Sequence, residues 1–201
     1  MKYSKLLLAA IGATVLLGAF VSTASARNIS TSNQFLRATF REVNFRLPFF
    51  TTRCQVTLEG SLHSRTIAKV VGSLIGYMTS ARLGPCSSGS ATILTETLPW
   101  HVRYAGFAGT LPAITSIRVN VINSSFRIRE PFGITCLARS TATEPAIGTF
   151  NREAGGALTT AEIGGTIRTG PECFEEPGSF TSDRGPVTLL NSTARVTVTL
   201  I

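Results

Sequence analysis

Four cysteines, Cys54, Cys86, Cys136 and Cys173, are the residues of this 201-residue chain with the most specific chemistry. An even number of thiols in an oxidising compartment reads as a disulfide framework, whereas in a reducing one it reads as metal-binding or catalytic. The N-terminus decides between the two. Met1-Lys2-Tyr3-Ser4-Lys5 gives a positive start, Leu6 to Val21 an apolar run, and Ala24-Ser25-Ala26 a small-residue cleavage site. Residues 1–26 are therefore expected to be a cleaved signal peptide, and 27–201 a secreted, extracellular or cell-surface domain. A retained membrane anchor is the alternative. Gly12, Thr14 and Gly18 dilute the run, and no later segment is apolar enough to span a bilayer.

Four cysteines permit three pairings. A weak internal repeat separates them. Phe45-Arg46-Leu47 begins nine residues before Cys54, and Phe126-Arg127-Ile128 ten before Cys136. Each of these cysteines has a second one downstream, 32 and 37 residues on, close behind Gly84-Pro85 and Gly170-Pro171. If the halves 27–122 and 123–201 are a diverged duplication, the bonds are Cys54–Cys86 and Cys136–Cys173. Shared tripeptides also arise by chance, and then the pairing stays open.

Little else is available for catalysis. The chain has two histidines, His63 and His101, and one aspartate, Asp183. A metal centre would have to use cysteines that oxidation claims, so neither metal nor cofactor is expected. Glu59 and His63 stand four apart, a useful spacing on a helix but not in the strand and hairpin that the pattern indicates here. No Gly-x-Ser-x-Gly elbow supports a serine triad. The enzyme alternative is an extracellular glycoside hydrolase, which needs only two suitably spaced carboxyl groups. Glu59, Glu96, Glu130, Glu153 and Glu162 are its candidates, and most of them are more simply read as surface carboxylates balancing nearby arginines.

The charge is lopsided. Of 19 basic residues Lys2 and Lys5 leave with the signal, so 17 face 11 acidic ones, a balance of +6. Lys69 is then the one lysine. Outside a cell such a charge favours anionic polymers or surfaces, such as wall polymers, lipid head groups or acidic polysaccharide. Arg103, Arg118, Arg127, Arg129 and Arg195 fall in expected strands and are the candidate binding residues. Nucleic acid is not the expected partner, because export removes it and no recognition motif is present.

The elements that must position these residues have a period of two. Leu98, Trp100, Val102 and Tyr104 share one face, and His101 and Arg103 the other. Ile117, Val119 and Val121 alternate in the same way, as do Val196, Val198 and Leu200. Further strands are expected over 35–47, 54–62, 90–94, 125–128, 133–139 and 187–190, with turn-rich separators at 83–89, 130–133 and 171–186. Thr66 to Met78 also fits a helical stripe, but Gly72 and Gly76 would each weaken a helix by about 1 kcal/mol. A strand is expected there. Many short strands separated by turns indicate an all-β antiparallel sandwich or barrel.

In its arrangement Cys54, Gly60 to Gly76, Cys86, Ala91 to Leu94 and Leu98-Pro99-Trp100, the chain resembles a group of uncharacterised secreted β-rich proteins of high-GC actinobacteria. The phrases Leu58 to Lys69 and Asn151 to Gly156 are similar too, although no Leu-Pro-Trp follows Cys173. The resemblance implies export and a β fold but no activity or ligand. The expectation for function is a non-catalytic secreted or cell-envelope protein that binds an anionic polymer or surface.

Overall fold

Alternating apolar side chains pair into strands almost throughout the molecule. The computed structural model describes residues 28–48, 50–173 and 177–201. Its strands are β1 (Asn28–Thr31), β2 (Phe35–Arg46), β3 (Thr51–Leu62), β4 (Thr66–Ala68), β5 (Leu74–Cys86), β6 (Ser90–Ile93), β7 (Trp100–Thr110) and β8 (Ala113–Ile122). They continue with β9 (Ser125–Arg129), β10 (Thr135–Arg139), β11 (Ala146–Arg152), β12 (Leu158–Thr169), β13 (Gly178–Ser182), β14 (Gly185–Leu189) and β15 (Val198–Leu200). Single 3-10 turns stand at Thr95–Thr97 and Pro171–Cys173. The signal-peptide reading over 1–26, with its membrane-anchor alternative, lies outside the described residues. Among those described, no helix is long and apolar enough to cross a membrane.

The fold is all-β and antiparallel, and its main hydrogen-bonded circuit closes on itself. The order runs β11-β8-β7-β5-β3-β2, and β13 and β14 both join β2 to β12. Pairing of β12 with β11 completes a barrel, while the second half of β5, beyond Met78, pairs with β3 alone. Two smaller sheets attach to it. At Ala138 and Arg139, β10 pairs with the end of β12, and β9 and β6 follow to form a side sheet. A three-stranded sheet of order β15-β1-β4 buries Ile29, Ile67 and Val198.

Inward-facing residues fill the space between these layers. Phe40, Val43, Phe45, Val56, Trp100, Tyr104 and Val187 are buried from the barrel, and Phe126, Ile128, Cys136 and Ala138 from the side sheet. Each large apolar side chain so buried contributes about 1.5 to 3 kcal/mol. The barrel interior keeps three small apolar cavities of about 70, 40 and 20 Å3. Leu36, Met78, Val102, Val119 and Phe150 line both of the larger two.

Three sequence expectations need correction. Residues 66–78 do not form one strand, because a turn at Val71–Gly72 separates β4 from β5. Gly72 takes φ +83° there, and the β5 backbone at Gly76 lies so close to the Ser61 carbonyl that a Cβ would collide with it. Both glycines that argue against a helix thus have a backbone reason to be glycine. The separator expected at 83–89 is largely strand, since β5 runs on to Cys86. The separator expected at 171–186 contains β13 and the start of β14.

The alternation on β7 and β8 holds, with Trp100, Val102, Tyr104, Ile117, Val119 and Val121 all buried. Strands β1, β11 and β12 had no counterpart in the sequence reading. In β12 the apolar alternation is broken by Gly164 and Gly165, and the strand is held instead by neighbours on both edges. Strands from both expected halves join one barrel, as β2 pairs with β13 and β8 with β11.

The cysteines are joined as Cys54–Cys86 and Cys136–Cys173. Cys54 and Cys86 are register partners across β3 and β5, with Cα atoms 4.0 Å apart. Cys136 reaches from β10 to the 3-10 turn at Cys173, and both are fully buried. Closing loops of 32 and 37 residues stabilises by on the order of 3.5 to 4 kcal/mol each in the chain-entropy treatment.

Candidate functional site

The five arginines expected to bind divide into four settings. Arg103 lies on the barrel wall, where its Nη1 donates to the Gly72 carbonyl at 2.9 Å and so ties β7 to the β4–β5 turn. Arg195 faces Glu153 at 3.2 Å. Arg118 is exposed on β8, opposite Gly106 of β7. Arg127 and Arg129 are the pair that the fold brings together.

Their strand is short and strictly alternating. Phe126 and Ile128 point into the core, and Arg127 and Arg129 point out. Two residues of extended chain separate their Cα atoms by about 6.6 Å. Register adds a third guanidinium. Leu137 pairs with Arg127 and Arg139 with Ser125, so Arg139 is the diagonal neighbour of Arg127, about 7 to 8 Å away. Arg139 is exposed, and none of the three has an ion pair among the described residues. Ser90 and Thr92 of β6 pair with Arg129 and Arg127 and border this face with hydroxyl groups.

The face is rigidly backed. Cys136 anchors β10 from behind, and Phe126 packs on Trp100 and Phe45 with ring centroids 5.5 and 5.3 Å apart. The Glu172 carboxylate accepts from the Leu137 N–H at 3.0 Å and fixes the side of β10 away from β9. At the far end of β9, the turn to β10 carries Phe132, which is 93 % exposed.

At the near end lies an open recess of about 450 Å3 lined by Thr97, Asn123, Ser125, Arg139, Ser140 and Thr141. Its floor is a hydrogen-bonded network. Trp100 Nε1 donates to Thr97 Oγ1 at 2.9 Å, and Thr97 Oγ1 donates to the Leu94 carbonyl at 2.7 Å. The Ser124 N–H donates to Ser140 Oγ at 2.9 Å, and the two serine hydroxyls are 2.7 Å apart. Asn123 occupies the β8–β9 turn at φ 71°, a conformation asparagine tolerates better than most residues.

The glutamates expected of a hydrolase are dispersed. Glu59 pairs with Arg37 at 2.8 Å, Glu162 with Arg184 at 2.8 Å, and Glu153 with Arg195. Glu96 stands in a 3-10 turn and Glu130 in the β9–β10 turn. None of the four cavities described above is lined by two carboxylates. His63 and His101 flank Tyr77, with ring centroids 4.9 and 5.5 Å away, and no group of three metal-ligating side chains occurs among the described residues.

Sequence reasoning missed Arg139 and the recess. Arg139 ends an expected strand, but its place beside Arg127 depends on the register of β9 against β10, which no pattern along one strand encodes. No family model, no curated protein and no solved structure matches the chain.

Proposed function

We propose that the protein is a non-catalytic secreted or cell-envelope component that binds an anionic polymer through the outer face of the β6–β9–β10 sheet. The observation that carries this reading is the set Arg127, Arg129 and Arg139, which has no ion pair among the described residues. Like charges at neighbouring sheet positions repel. Here three adjoin with no carboxylate partner among the described residues. An anionic ligand relieves that repulsion and gains charge-assisted hydrogen bonds from each guanidinium.

The two disulfides agree with an oxidising location, and the basic balance of the chain draws polyanions toward it. Secretion itself rests on the signal-like residues 1–26. The resemblance to secreted actinobacterial proteins points the same way.

Binding is tested by passing the purified protein over immobilised polygalacturonate and over a neutral dextran matrix. Retention on the acidic matrix alone, released by salt, supports the reading. Elution with the void on both matrices overturns it.

A further inference from the structure

The recess beside Arg139 has a composition unlike the rest of the arginine face. Its walls carry four hydroxyl residues, one carboxamide and one guanidinium. Most of the hydroxyls are committed to one another or to backbone, which makes the walls stiff. Thr97 Oγ1 is held between the Leu94 carbonyl and Trp100 Nε1, Ser140 Oγ bonds Ser124, and Thr141 Oγ1 accepts the Glu144 N–H at 3.0 Å. The Arg139 guanidinium and the Asn123 carboxamide have no partner among the described residues and are exposed.

These two groups differ in what they recognise. A guanidinium takes a carboxylate in a two-pronged charge-assisted pair. A carboxamide both donates and accepts, and so matches neighbouring hydroxyl groups. A volume of about 450 Å3 falls within the range of small-ligand sites, and a lining that mixes exposed carbon with a few polar groups suits a sugar ring, which carries both. From the recess, Arg127 and Arg129 continue along β9 for about 13 Å, at about 3.3 Å per residue. A single anion would use one end of that track. A linear polymer uses all of it.

We infer that the recess is a subsite for one carboxylate-bearing sugar residue of an acidic polysaccharide, with the following residues of the same chain lying over Arg127 and Arg129. This rests on the anionic-polymer reading above and names its ligand class. The carboxylate pairs with Arg139 while the ring hydroxyls bond Asn123 and the recess wall. No covalent step is involved.

The test uses calorimetric titration of the whole chain with three probes: tetragalacturonate, linear polyphosphate of similar charge, and maltotetraose. The variants are Arg139→Gln, Arg139→Lys and Asn123→Gly, the last keeping the positive φ while removing the carboxamide. Near-ultraviolet circular dichroism confirms that each is folded. Tetragalacturonate is expected to lose about tenfold or more in affinity with Arg139→Gln, less with Arg139→Lys, and severalfold with Asn123→Gly. Polyphosphate, which lacks hydroxyls, is expected to be insensitive to Asn123→Gly, and maltotetraose not to bind.

If Arg127→Gln/Arg129→Gln weakens tetragalacturonate while Arg139→Gln and Asn123→Gly leave it unchanged, the subsite is wrong and the polymer reading stands. If none of these variants matters, both fall. Tighter binding to phosphatidylglycerol vesicles than to tetragalacturonate, abolished by Phe132→Ser, would overturn the subsite in favour of a lipid surface.

Discussion

Phe126 of the side sheet lies against Trp100 of the barrel with ring centroids 5.5 Å apart, and its other flank meets Phe45 at 5.3 Å. Phe45 in turn stacks on Phe180 at 6.2 Å. One aromatic side chain therefore couples the arginine-bearing sheet to the closed barrel, and its neighbours on β9 are Arg127 and Ser125.

Truncating that contact is expected to damage stability and binding together. Phe126→Ala removes a buried ring and leaves a cavity, a change that costs about 3 to 5 kcal/mol. Chemical denaturation should show a midpoint lowered accordingly, and polyanion retention should weaken. A midpoint within experimental scatter of the unmodified protein would remove Phe126 from this role.

The wall disulfide should behave as a staple. Cys54 and Cys86 are direct partners on β3 and β5, so Cys54→Ala/Cys86→Ala keeps the strand pairing but releases a 32-residue loop in the unfolded chain. The expected loss is about 2 to 5 kcal/mol, read by denaturant unfolding without reductant. Stability equal to that of the unmodified protein would show that the bond contributes nothing.

Tyr104 supplies a prediction of opposite sign. Its side chain is buried and its hydroxyl has no partner among the described residues. Tyr104→Phe is therefore expected to leave stability unchanged or to raise it, since no hydrogen bond is lost. Burial also raises the phenol pKa above its ordinary 10.0. The unfolded chain then ionises first, so stability is intact below pH 10 and falls as pH rises beyond it. The phenylalanine variant should lose less stability over that interval. Identical pH profiles would contradict the assignment.

The Arg37–Glu59 pair, at 2.8 Å, is partly exposed on the barrel wall, with 37 % of the arginine side chain accessible. Solvent at the arginine end screens the pair, although only 12 % of the Glu59 side chain is accessible, so its contribution stays modest. Glu59→Gln is expected to shift stability by less than about 1 kcal/mol and to leave polyanion retention intact. A loss of retention would move the binding face from the side sheet to the barrel.

Strand character was legible because inward residues such as Trp100, Val102 and Tyr104 alternate with outward ones such as His101 and Arg103. The pairing Cys54–Cys86 was legible through the repeat, since each first cysteine has a second at a similar distance. Barrel closure was not, because it depends on β12 pairing with β11, β13 and β14, and Gly164 and Gly165 erase its apolar signature. The candidate face was legible in sequence only in part. Arg127 and Arg129 share one strand face by period alone, but Arg139 joins them through register, and Asn123 reaches the recess through a turn. Arg103 and Arg195, also expected to bind, bond the Gly72 carbonyl and Glu153 through contacts that period alone does not show.

The proposed polyanion binding depends on where the arginines stand and not on overall charge. The most direct measurement compares two charge-matched double variants on immobilised polygalacturonate, one in the site and one on the barrel wall. Arg127→Gln/Arg129→Gln should elute at clearly lower salt than the unmodified protein, and Arg82→Gln/Arg118→Gln, which alters exposed barrel residues, should elute close to it. Equal shifts for the two variants would contradict the account.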